Sequence, residues 1–182
     1  MNLERSARPR PVFRGALGLA LALMLALLPG VVRAQADEYA AKAAFIYNVA
    51  LFTSLPNANG MVRLCVLGRD PFGGVLAALD GKALGNAQLT VGHPRSRSEA
   101  LLQCHILFIS ASEADDLPAL ADSAKAAGVL TIADVEGAAR KGVILELCVV
   151  ERRIAFEFNG TAARGAGITL SSKVLRLARA VH

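Results

Sequence analysis

Histidine is scarce in this chain, and the shortage removes much catalytic chemistry at once. It occurs three times, at His93, His105 and His182. No two lie close in sequence, and there is no His-Glu-x-x-His or paired Cys-x-x-Cys, so a zinc site lacks a ligand set. Ser110 sits in the context Phe108-Ile109-Ser110-Ala111, which is not the Gly-x-Ser-x-Gly elbow of an α/β-hydrolase. Paired carboxylates occur as Asp115-Asp116, which read as the exposed face of a helix rather than an acid–base couple. Neither G-x-G-x-x-G nor a P-loop is present. No internal repeat or low-complexity segment is visible. These absences point away from an enzyme and from any bound cofactor or metal.

What the chain does have begins with its first 34 residues. Arg5, Arg8, Arg10 and Arg14 form a basic head, and Gly15 to Leu28 is an uncharged apolar run. Pro29 and Gly30 break the run, and Val32-Arg33-Ala34 offers small residues for a signal peptidase. This is the three-part pattern of a secretory leader, with a cut expected after Ala34 or, second, after Ala36. Left uncut, Gly15 to Val32 would be a membrane anchor at the short end of a spanning helix. Arg5 and Arg8 are not adjacent, so no twin-arginine signal is present.

The leader also accounts for the apparent basicity. The whole chain has 20 Lys and Arg against 15 Asp and Glu. The leader holds five of those Arg and one Glu, leaving 15 against 14. With no basic tract or aromatic-interleaved stripe in the remainder, nucleic-acid binding has little support. Residues 35–182 have the size of one domain, with short loops and no linker.

Alternating patterns then run to the end. Asp37 to Leu55 is expected as a helix that is apolar over a wide arc, a candidate dimer or partner face. Strands are expected at 62–67, 88–91, 105–109, 129–132, 142–150 and 152–158. Helices are expected from Pro71 to Leu79, from Ser98 to Leu102, from Ser112 to Gly128, from Asn159 to Arg164, and from Ser171 to Val181. The last of these should bury Val174, Leu175, Leu177 and Ala178. Glu151-Arg152 reads as a tight hairpin turn. The implied fold is one α/β domain, a mixed but mainly parallel sheet between helix layers, with a C-terminal antiparallel hairpin. The turn Gly68 to Gly74 follows a strand and opens a helix, so Gly68, Asp70 and Gly73 form a candidate ligand turn.

The three cysteines, Cys65, Cys104 and Cys148, lie in apolar runs. In an oxidising compartment one pair plus one thiol is the simplest arithmetic, and all three pairings stay open beside three reduced thiols.

Four blocks together resemble the YfiR family of bacterial periplasmic proteins. They are Lys42-Ala43-Ala44-Phe45-Ile46-Tyr47-Asn48, Cys65 through Gly73, Cys104 through Ser110, and Phe156 through Asn159 with Gly167 through Leu175. The resemblance implies a repressor that holds an inner-membrane diguanylate cyclase, YfiN, inactive. An outer-membrane lipoprotein, YfiB, sequesters such a repressor, and its release raises cyclic di-GMP and favours biofilm. It further implies a homodimer and a disulfide between Cys65 and Cys104. The family's second disulfide falls near Cys148, where this chain has a single cysteine, expected as a buried thiol. For partner contact the segment carrying the fourth block offers Glu157, Ile168 and Leu170; Ile168 and Leu170 fit the core equally well, while Glu157 is expected to be exposed because it alternates with Phe156 and Phe158.

Overall fold

The computed structural model describes residues 35–182, so the expected leader lies outside the described residues. Helix α1 covers residues 35–51. After it come β1 (Thr53–Ser54), β2 (Met61–Leu67), a 3-10 turn (Leu76–Leu79), β3 (Ala83–Leu84), β4 (Ala87–Gly92) and α2 (Arg97–Gln103). The middle of the chain supplies β5 (Ile106–Ile109), a 3-10 segment (Ala111–Asp116), α3 (Leu117–Ala126) and β6 (Leu130–Ala133). A third 3-10 turn (Ala139–Lys141) precedes β7 (Leu145–Val150) and β8 (Arg153–Phe158). The chain closes with α4 (Gly160–Gly165), β9 (Thr169–Leu170), α5 (Ser172–Leu175) and β10 (Ala180–Val181).

The main sheet has eight strands in the order β10-β8-β7-β6-β5-β2-β4-β3. Strands β4, β2, β5, β6 and β7 are parallel. Their order is that of a doubly wound sheet whose sequence direction reverses between β2 and β5. β5 and β6 are buried at every position, as uninterrupted apolar runs require when both faces are covered. Ile46 and Val49 of α1, Ala162 and Ala163 of α4, and Val174 of α5 pack on one face with Leu64, Phe108 and Ile132. Ala100 of α2 and Leu117 and Leu120 of α3 pack on the other with Leu67, Leu107 and Ile109. The expected mixed, mainly parallel sheet between helix layers is thus the fold. The hairpin is also as expected: β7 and β8 pair antiparallel, and Glu151 and Arg152 take φ of 50° and 63°, the left-handed pair of a type I′ turn.

Several expected boundaries move. α1 stops at residue 51 because Thr53 and Ser54 pair with Leu170 and Thr169 in a separate two-stranded sheet. The helix expected from Pro71 shrinks to Leu76–Leu79, since Gly73 and Gly74 hold φ of 58° and 89°, outside the helical region. The segment from Ser112 opens as 3-10 turns, and the α-helix proper begins at Leu117 with Pro118 in its first turn. β7 begins at Leu145 rather than Gly142, which caps the preceding turn at φ 99°. The largest change is at the C-terminal end. The expected helix from Ser171 to Val181 lasts only to Leu175, because the outer edge of β8 takes up the backbone beyond it. The Arg179 amide donates to the Phe156 carbonyl at 2.8 Å, and the His182 amide to that of Phe158 at 2.8 Å. Leu177, expected in the buried stripe, is 72% exposed.

Cys65 of β2 and Cys104, which caps α2, are disulfide-bonded with Cα atoms 5.9 Å apart and a sequence separation of 39. The bond closes the crossover that carries β4 and α2. Loop-closure entropy puts its contribution at about 3–4 kcal/mol. Cys104→Ala, or reduction under native conditions, is therefore expected to lower the unfolding free energy by about that amount in urea titration, while Cys148→Ala changes it by less than about 1 kcal/mol.

Candidate functional site

The sheet changes character at β7. β6 pairs with β7 only through Leu145 and Glu146, so Leu147 to Val150 runs on past the end of β6 with that edge unpaired among the described residues. One face of β7 and β8 stays apolar, with Leu145, Leu147, Phe156 and Phe158 in the core. The opposite face carries Glu146, Cys148 and Glu157. At the free edge of β7 a cleft of about 360 Å³ opens between α1 and the segment after β6. Glu38, Lys42, Asp134, Arg140, Cys148 and Arg179 are among the residues that line it.

Its floor is an ion-pair cluster made by residues far apart in sequence. Lys42 is only 4% exposed, and its ammonium lies 2.7 Å from Asp134 Oδ2 and 2.6 Å from Glu38 Oε1. The Tyr39 hydroxyl donates to the same Asp134 oxygen at 2.8 Å, and the Lys42 ammonium sits 4.3 Å from the Tyr39 ring centre. Tyr39 and Lys42 share one face of α1 because they are three residues apart, and Glu38 and Lys42 are four apart. Burial pushes the Tyr39 phenol up to about 12, helped by its hydrogen bond to Asp134. Burial alone would lower the Lys42 ammonium, but the hydrogen bonds to Asp134 and Glu38 outweigh it and leave it raised. Lys42 is therefore a fixed cation.

Glu146 shapes the wall. Its two carboxylate oxygens accept the amides of Gly137 at 3.0 Å and Ala139 at 2.9 Å, which folds the segment after β6 over the sheet. Glu157 lies directly across from Glu146 in the β7–β8 register. It is 9% exposed, not the open side chain that strand alternation suggested, because β10 pairs alongside and His182 and Arg179 close over it. His182 Nε2 is 2.9 Å from Glu157 Oε2, and Arg179 is 3.8 Å from Oε1. The hydrogen bond from His182 holds the Glu157 carboxyl below its usual range. Cys148, expected to be buried, is half-exposed at the cleft wall, its sulfur 4.0 Å from an Arg179 nitrogen. A guanidinium cannot take the thiol's proton. The cleft accordingly offers paired charges and donors for binding.

The other expected site residues lie elsewhere. Ile168 and Leu170 are 4% and 6% exposed and belong to the core, where β9 pairs with β1, so they are not open to a partner. The Gly68–Gly74 turn sits at the C-terminal end of β2, but side chains of the turn and of the segment after β5 satisfy its amides. Asp70 Oδ1 accepts the Phe72 amide at 2.7 Å, and Ser112 Oγ accepts that of Arg69 at 2.9 Å. A Cβ on Gly68 would come within 2.4 Å of Ser112 Oγ, so the glycine is there for close approach, and Gly73 is a left-handed turn residue. The Tyr39–Lys42–Asp134 cluster was not singled out from sequence. Its one signal was a lysine on the apolar side of the first helix.

The family model described as DUF4154, YfiR/HmsC-like, matches residues 39–179. The chain belongs to this family. It is a regulatory rather than a catalytic family, of periplasmic proteins in cyclic di-GMP signalling. No curated protein matches the chain. Among solved structures it is similar to a conserved domain protein from Vibrio cholerae, with a TM-score of 0.53 and 14% identity over 77% of this chain. It spans 60% of that protein's length, and the likeness is one of fold. A second, the ABC domain from Streptococcus pneumonia in complex with L-Trp, has a TM-score of 0.49 and 10% identity, over 66% of this chain and 55% of that one. No helix among the described residues of this YfiR/HmsC-like chain is long and apolar enough to cross a membrane.

Two measurements probe the cluster. Asp134→Asn leaves the Lys42 ammonium short of its main partner and is expected to cost about 3 kcal/mol in urea unfolding, with Lys42→Met in the same chain recovering part of the loss. A raised phenol stabilises the fold below the ordinary phenol value and loses that contribution as pH rises through the folded one. Alkaline absorbance titration should therefore show a component near 12 that Tyr39→Phe removes.

Proposed function

We propose that this protein is a periplasmic repressor that binds an inner-membrane diguanylate cyclase directly and holds it inactive, restraining cyclic di-GMP and biofilm formation. The observation that carries the reading is the family match over residues 39–179, nearly the whole of the described chain. A cleft lined by paired charges is in keeping with it. In this reading the leader is removed and the partner is a YfiN-like membrane cyclase. A YfiB-like outer-membrane lipoprotein is the antagonist, and the working form is a homodimer. The docking face belongs with the exposed residues around the cleft, over the buried Glu157, and the solvent side of α1 is the candidate dimer face.

A small-ligand sensor built on Gly68, Asp70 and Gly73 is the second reading. Its favouring observation is the reversal of strand order beside β2, the place where ligands enter open α/β sheets.

Deleting the gene should raise cellular cyclic di-GMP, measured in extracts, and re-expression of the exported chain should return it to the parental level. An unchanged level on deletion would overturn the repressor reading.

A further inference from the structure

Charge is unevenly divided along the described residues. Residues 35–135 hold seven Lys and Arg against ten Asp and Glu, whereas residues 136–182 hold eight against four. Two of those four, Glu146 and Glu157, are buried and committed to backbone amides and to His182. The surface made by this last third is more basic than its composition.

The fold gathers much of that charge at one corner of the sheet. Glu151, Arg152 and Arg153 stand at the tip of the β7–β8 hairpin, one exposed carboxylate beside two guanidinium groups. The segment after α5 runs parallel to β8, with Arg179 bonded to Phe156 and Ala180 level with Glu157. Arg176 and Leu177 form the turn between α5 and that contact. Arg152, Arg153 and Arg176 are exposed and have no ion-pair partner among the described residues. Apolar side chains stand among them: Leu177 is exposed as noted, and Val149 and Val150 at the end of β7 are 45% and 39% exposed.

We infer that this corner rests on a bilayer surface containing anionic phospholipid. Guanidinium groups fork onto phosphate oxygens, and isolated aliphatic side chains between them suit shallow entry into the headgroup layer. A protein partner would instead call for a contiguous apolar centre with the charges at its rim, and here Val149 and Val150 face opposite sides of the sheet. Each Lys or Arg brought to an anionic surface strengthens attachment by about fivefold, within a Debye length of about 8 Å. Three free arginines plus Leu177 therefore give a reversible hold rather than an anchor. The inference goes beyond the regulatory reading and does not depend on it, since it requires only an exported protein.

Vesicle flotation tests it, using protein isolated from a periplasmic extract and phosphatidylcholine vesicles made with and without phosphatidylglycerol. Flotation is expected only with phosphatidylglycerol, and it should weaken with added salt. Arg152→Gln, Arg153→Gln and Arg176→Gln should each weaken it by about fivefold. Leu177→Ala should weaken it without changing the salt dependence. All four side chains are exposed, so unchanged circular dichroism and melting are expected in the same samples. Equal flotation with neutral vesicles, none with phosphatidylglycerol, or flotation that the triple glutamine variant leaves unchanged would overturn the inference. So would a parent protein that ignores both vesicles while the triple variant loses control of cyclic di-GMP in cells, because the corner would then serve an acidic protein face.

Discussion

Strands β5 and β6 have no polar side to turn to water, and the rest of the molecule follows from covering them. Both faces must be shielded by helices, α1, α4 and α5 on one and α2 and α3 on the other, which is why α1 is apolar over so wide an arc. The cover is unequal. α1, α4 and α5 protect one face out to β8, whereas α2 and α3 protect the other only as far as β6. Beyond that line the sheet has to supply its own polar surface, and β7 and β8 do so with Glu146, Cys148 and Glu157. The cleft is thus where a helix layer runs out.

Charged groups near that boundary are held by the fold rather than by water. Glu146 folds a segment over the sheet through two backbone amides, and Lys42 ties α1 to the end of β6 through Asp134. A buried pair of this kind is a weak source of net stability, since desolvation offsets most of the attraction. Its effect is positional: a lysine and a tyrosine one helical turn apart, both meeting one carboxylate, admit a single placement of α1 along its axis. A helix packed by alanine, isoleucine and valine alone would slide more easily.

The legible parts of the sequence were those where local pattern and tertiary demand agree. The all-apolar run at Ile106 to Ile109 could only be a covered strand, and Glu151-Arg152 between two alternating segments could only be a tight turn. What stayed hidden depended on partners distant in sequence. The stretch after Leu175 has helical spacing, yet the open edge of β8 draws it out as a strand. Glu157 alternates like a surface residue, yet that added strand and His182 cover it. Thr53 and Ser54 have no strand signal of their own and are extended because Thr169 and Leu170 lie beside them. Asp134 shows no motif, since Tyr39 and Lys42 reach it across more than 90 residues.

The disulfide has a consequence for how the chain is assembled. Cys65 and Cys104 are consecutive cysteines, and Cys148 follows only after β6 and most of the cleft wall. For a polypeptide delivered to an oxidising space from its N-terminal side, the correct pair is therefore the first pair that exists. An oxidant acting as the chain emerges joins β2 to the end of α2 before the third thiol can compete. The order of residues along the chain does the sorting that an isomerase would otherwise have to do, and the central crossover is already fastened when β7 and β8 arrive to complete the sheet.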